Sequence, residues 1–432
     1  MKFRFSVVAA LAVMFIAATV LWASRGTTEE PRGAPFDRVI KENARTQVEE
    51  GRQIFRFDTF GDEEFWGSML RLHEAIQTVS PRTALAVGLK VDVDALPGAL
   101  KSDLRHGRVD LDDPANTVAL LKLNAVVGVT GFFNETGHLR SMGIQCALCH
   151  STVDGSFAPG IGQRLDGWAP RDLNVGAIIA LAPNLKPVAD LLGVSDATLR
   201  GVLNSWGPGK FDAAVFMDGK ALPPSGGPTL IPPAFGLAGV NLHTWTGWGS
   251  VTHWNAFVAN LEMHGKGTFY DPRLNDPVRF PIAAANGFGN VRNDPDLVTS
   301  KLAALHLYQL AIPAPKAPEG SFDRTAAARG KTLFESKAQC AVCHVPPLFT
   351  EPGWNMHRGE ELGIDNMQAD RSPDGHYRTA PLKGLWSHQK GGFYHDGRFA
   401  TLRDVVDHYN SGKALGLTGG EVADVVEYLK SL

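Results

Sequence analysis

Two thiols and an imidazole recur at one spacing in this chain, as Cys146-Ala147-Leu148-Cys149-His150 and again as Cys340-Ala341-Val342-Cys343-His344. Together the two stretches use all 4 cysteines of the 432 residues, so no thiol is left for a disulfide. One chemistry needs this arrangement. The thiols reach the two vinyl groups along one porphyrin edge, and the adjacent histidine then lies under the iron as proximal ligand. A zinc site or a redox-active dithiol is the rival use of a Cys-x-x-Cys pair, but zinc pairs usually sit closer to their partner pair than these do. The reading is therefore two covalently bound c-type haems, on Cys146 and Cys149 and on Cys340 and Cys343, with His150 and His344 as iron ligands.

Size and charge bound what surrounds these motifs. The chain suits two or three domains, each able to bury a core. Its formal charge of −3 becomes about −5 once Lys2 and Arg4 are removed with a leader, so nothing in the charge argues for nucleic acid or acidic lipid as a partner. Residues 1–23 read as a signal peptide: Lys2 and Arg4, an apolar run over 5–22, then Ala23-Ser24 as a cleavage point. The run is nearly long enough to cross a bilayer, so an uncleaved anchor is the alternative, and only then is a membrane involved. Either way the remainder is exported to the periplasm or beyond, where c-type attachment is completed.

The elements that must hold the motifs read as mostly α. Residues 24–116 form an N-terminal extension: a polar tether over 27–50 with one short helix, then a dense aromatic set, Phe55, Phe57, Phe60, Phe65 and Trp66, that packs against a neighbouring domain. His73 reads as a surface or core histidine. Residues 117–315 form the first cytochrome c-like haem domain, in which 176–185 reads as a buried helix against the porphyrin and Ser195 as a helix N-cap. Trp245, Trp248 and Trp254 cluster there with His243, His253 and His264. A proline-rich linker over 312–318 marks the boundary. Residues 316–432 form the second haem domain: Asp323 caps a helix running towards Cys340, and Val422, Val425, Val426, Leu429 and Leu432 make one apolar face of a terminal helix that crosses it.

Further residues carry a family resemblance. Arg378-Thr379-Ala380-Pro381-Leu382-Lys383-Gly384-Leu385 and Phe393-Tyr394-His395-Asp396-Gly397-Arg398-Phe399-Ala400-Thr401-Leu402 resemble a block of the bacterial diheme cytochrome c peroxidases. That superfamily includes the diheme enzyme that matures methylamine dehydrogenase and, more distantly, the diheme rubber-cleaving oxygenases. The similarity covers residues 143–432. It implies two cytochrome c-like haem domains facing each other, with calcium between them left open.

The resemblance also implies site residues. The family's distal methionine of the second haem falls at Tyr409, and tyrosine there resembles the methylamine dehydrogenase maturation enzyme. A phenolate favours higher iron oxidation states where methionine raises the potential. His408, adjacent on the helix, is the alternative ligand; Met356 and Met367 are others. Trp254 falls at the relay tryptophan between the haems, His264 at the family's glutamine and Leu274 at its catalytic glutamate. Leucine cannot move a proton between the two oxygens of a peroxide, whereas a histidine can, which makes His264 the candidate proton shuttle. His243 or His253 could close the first iron's sixth position; otherwise it is five-coordinate or holds water.

The implied function is an exported diheme oxidoreductase, peroxidase-like, that activates peroxide or dioxygen at the first haem and exchanges electrons through the second. Its partner is a small redox protein or a quinol-linked donor. Two alternatives stay open: an oxygenase acting on an organic substrate, suggested by Leu274 and the tryptophan cluster, and a non-catalytic electron-transfer cytochrome.

Overall fold

The computed structural model of the chain describes residues 35–220, 227–388 and 390–432. The leader lies outside the described residues, and no described helix is long and apolar enough to cross a membrane. The chain is mostly α, as expected, with its strands confined to short two-stranded pairs. It divides into a unit ending at Thr46, whose described part is an exposed helical stretch, and a second unit, Gln47–Leu432, that holds everything below.

In place of a polar tether with one short helix, α1 runs unbroken over 23 residues, Pro35–Phe57, and buries Gly51, Ile54 and Phe55 near its end. Gly51 is required there. A Cβ on it would lie 2.0 Å from the carbonyl oxygen of Ala304, so only glycine lets α1 approach the helix of residues 302–311. Four of the five aromatics are buried, as the large area of each ring favours, whereas Phe57 is 39% exposed with the Arg164 guanidinium over its ring. Phe55 and Phe60 share a core with Leu305 and Tyr308, while Phe65 and Trp66 share one with Leu148, Leu173 and Leu199. The stretch read as an extension thus builds the core around the first motif.

An antiparallel hairpin, β1 (Val129–Phe133) with β2 (Leu139–Ile144), leads into α2, Cys146–His150, the first motif itself. The buried helix expected over 176–185 is shorter: α3 spans Val175–Ile179, because Pro183 disfavours helix at the residue before it. Ser195 caps α4, Asp196–Ser205, accepting from the Thr198 N–H. Next come α5, Val251–Phe257, which continues into a π-helical turn, Val258–Glu262, and α6, Leu302–Ala311.

The C-terminal segment is built as its pattern requires. Asp323 caps α7, Arg324–Glu335, and the capping boxes of Thr401 with Asp404 and Thr418 with Glu421 start α8, Leu402–Gly412, and α9, Gly419–Ser431. α7 and α9 cross so closely that a Cβ on Gly330 would lie 1.9 Å from the Asp424 carbonyl oxygen. Phe334, Leu402, Val406, Val425 and Leu429 fill a core whose members all lie between Phe322 and Leu432. A seam of polar contacts ties this part to the rest: buried Arg371 pairs with Asp212 and Asp218, the Leu230 N–H donates to the His395 carbonyl (2.6 Å), and the Arg378 N–H donates to that of Trp245 (2.8 Å).

Candidate haem site

Both motifs open onto one cavity of about 760 Å³, lined by Cys146, Cys149 and His150 and by Cys340, Cys343 and His344. That volume lies in the upper part of the ~300–1,000 Å³ range of small-molecule sites. Burial pushes the Cys146 and Cys149 thiols up to about 12 and Cys340 to about 11, so these surroundings suit a neutral thioether better than a thiolate. Burial likewise lowers His150 and His344 to about 4, keeping both imidazoles neutral. The Nδ1 of His344 lies 3.2 Å from the Phe349 carbonyl oxygen, which fixes the tautomer and leaves Nε2 for a metal.

The polar wall of the cavity fits a porphyrin as well. Arg171 and Arg378 both line it, and burial without a compensating carboxylate lowers each to about 10. Neither guanidinium has an ion pair among the described residues. Two buried cations of this kind are costly alone and call for anions from a ligand, such as porphyrin propionates.

Above the first motif, α5 and its π turn present pairs of residues at steps of four: Trp254 and Asn255, Val258 and Ala259, Glu262 and Met263. Trp254 lines the cavity, and its Nε1 has no hydrogen-bond partner. Glu262 is the residue that sequence reasoning passed over. Both of its carboxyl oxygens are buried and unpartnered, and burial, with the charge of Asp212, raises its pKa well above the ordinary value. Its position was legible as the second step of four along the helix from Trp254.

His264 is not among the cavity-lining residues. The π turn ends before it, its backbone is left-handed at φ +61, and its ring stacks on Phe65 with centroids 3.6 Å apart. The structure therefore brings a carboxyl to the cavity at Glu262, and packs the histidine read as the proton shuttle against an aromatic ring. Leu274 is fully buried in a hydrophobic core. His243 lines the cavity, with Nε2 3.2 Å from the Val240 carbonyl oxygen, whereas His253 is paired with Asp271 at 3.1 Å and is not a lining residue. His73 faces the Gly67 carbonyl oxygen at 3.0 Å.

At the second motif, α8 turns Tyr409 into the cavity. Its phenol is raised by burial, a hydrogen bond with Tyr394 acting in the other direction. His408 is absent from the lining; its Nε2 lies 2.7 Å from the Leu362 carbonyl oxygen. Met356 packs against Gly247, Met367 is 40% exposed, and neither lines the cavity.

No protein-family model matches the chain. It is 26% identical over 243 residues to the methylamine utilization protein MauG of Methylorubrum extorquens, a match covering 48% of this chain and 64% of that one. It is 27% identical over 231 residues to the cytochrome-c peroxidase IdrP1 of Denitromonas iodatirespirans, covering 41% and 60%. The chain thus spans about three fifths of the length of these relatives. Among solved structures it is similar to a MauG-like protein associated with microbial copper homeostasis, at 18% identity and a TM-score of 0.31, over 47% of this chain and 75% of that one. In its two Cys-x-x-Cys-His motifs on one cavity and in its two curated relatives, the chain is similar to the diheme cytochrome c peroxidase superfamily.

Proposed function

We propose that the chain is an exported diheme c-type cytochrome that reduces peroxide at the haem on His150 and takes its electrons through the haem on His344. The observation that carries this reading is the single cavity shared by both motifs, with a buried, unpartnered carboxyl at Glu262 in its wall. The second haem domain is proposed as residues 316–432, supported by the separate core of residues 322–432, and the first as residues 117–315 together with the preceding aromatic stretch that shares its cores.

When bound, the haems would supply redox-active iron able to exchange electrons with peroxide and with a donor. Every other task falls to the chain. Cys146, Cys149, Cys340 and Cys343 attach the porphyrins, His150 and His344 bind the irons, and Arg171 and Arg378 neutralise the porphyrin carboxylates. Glu262, kept protonated by burial, moves the proton between the two peroxide oxygens, the task that Leu274 cannot perform. Trp254, a residue of the cavity wall, serves as the electron relay. Tyr409 would hold the iron of the second haem together with His344, since it lines the cavity and His408 is engaged elsewhere.

The test uses holoprotein matured in a host that attaches c-type haem, with a small reduced cytochrome as donor. Peroxide-dependent oxidation of that donor is expected, and a resting EPR spectrum that contains high-spin iron. Two six-coordinate low-spin irons, unaltered by cyanide or peroxide, would leave only the electron-transfer cytochrome.

A further inference from the structure

Tyr377 and His395 form a buried pair in the wall of the same cavity, 3% and 5% exposed. Their rings stack with centroids 4.8 Å apart and planes 27° apart, and the phenol oxygen lies 3.4 Å from His395 Nε2. The phenol carries the O–H that this contact needs, and a neutral imidazole has one ring nitrogen to accept it. Burial raises Tyr377 to about 12 and lowers His395 below its ordinary value, so at neutral pH the proton rests on oxygen and the ring nitrogen is free to receive it.

The other aromatic side chains in the wall lack such an acceptor. The indole N–H groups of Trp66 and Trp245 donate to backbone carbonyls, and that of Trp248 donates to the Asp271 carboxylate, which its partners hold well below the usual carboxylate range. Trp254 Nε1 has no partner, and the Tyr394 hydroxyl meets only the phenol of Tyr409, which is no base. Removing an electron from a phenol turns it into a strong acid, so oxidation is far easier where a base receives the proton at once. The pair also sits at the seam, tied by His395 to Leu230 and by Arg378 to Trp245.

We infer that Tyr377 is a redox relay residue of this cavity, with His395 as its proton acceptor. The inference rests on the peroxide reading above. After hydrogen peroxide has oxidised the haem centre, Tyr377 gives it one electron. The phenolic O–H bond breaks as the proton moves to His395 Nε2, leaving a neutral tyrosyl radical beside an imidazolium. One electron from a reduced donor, with return of that proton, restores the pair.

Holoprotein mixed with peroxide in the absence of donor and frozen rapidly should show an organic radical by EPR, narrowed when the protein is made with ring-deuterated tyrosine. The signal should be lost in Tyr377→Phe and weakened in His395→Gln, each with an unaltered resting haem spectrum. Should Tyr377→Phe fail to fold, deuteration in the wild type and His395→Gln still decide the matter. A radical indifferent to tyrosine deuteration or undiminished in either folded variant, or normal haem oxidation without any tyrosyl radical, overturns the relay and leaves the peroxidase reading standing. A haem spectrum that does not respond to peroxide removes both.

Discussion

The residues proposed to attach haem stand out in the sequence because their chemistry forces them to be contiguous, whereas distal residues are assembled across the fold. Glu262 and His264 show the difference. Both were in view as sequence, but matching the family's spacing without gaps selected His264, and a π turn followed by a left-handed residue decides which of the two meets the cavity. The cost of placing a carboxyl there is readable in pH. Glu262 keeps its proton in the folded state at pH values where the unfolded chain, with the ordinary value of 4.5, has released it. Above 4.5 the unfolded state therefore binds fewer protons, and stability falls as pH rises towards the raised folded value. Glu262→Gln is expected to stabilise the protein more at pH 7 than at pH 4, and to lower peroxide turnover by ~10²-fold or more. Thermal unfolding at the two pH values and steady-state kinetics check both halves. A variant with wild-type turnover would end the assignment of Glu262.

At the scale of elements, caps and apolar faces were read well, at Ser195, Asp323 and the terminal helix, because each is set by a few neighbouring residues. The close helix crossings were not, since a glycine that admits a partner helix looks like any other glycine until the partner is in place. Gly330 and Gly201 make the contrast testable. Both lie within helices, where alanine is intrinsically better by about 1 kcal/mol. At Gly201 nothing lies within 4 Å of an added Cβ, whereas at Gly330 the Asp424 carbonyl lies 1.9 Å away. Gly201→Ala should therefore stabilise by roughly 0.5–1 kcal/mol. Gly330→Ala should destabilise by roughly 1–3 kcal/mol, the usual cost of overpacking, as α7 and α9 are forced apart. Denaturant unfolding of the two variants gives the signs directly; stabilisation by Gly330→Ala would mean that the crossing is looser than described.

At the scale of the whole molecule, the cavity exists only while the part holding the second motif stays docked against residues that carry the first. Nothing in the sequence announced what holds the dock, because its partners are distant: Arg371 meets Asp212 and Asp218, all three nearly excluded from solvent. The contacts are 2.8–3.1 Å, with both carboxylates engaging more than one guanidinium nitrogen. Such a buried triad adds little over a well-packed apolar replacement, but removing one member strands the others without compensation. Arg371→Met is expected to cost roughly 3–5 kcal/mol. Because the core of residues 322–432 is closed on itself, that loss should appear as a split of one unfolding transition into two, with the C-terminal core melting apart from the rest. Adding Asp212→Asn and Asp218→Asn to the same chain removes the stranded charges and should recover much of the loss. Calorimetry on the three proteins separates the outcomes: a single transition within about 0.5 kcal/mol of wild type for Arg371→Met is the behaviour of an ordinary surface substitution and would mean that the triad does not hold the two motifs to one cavity.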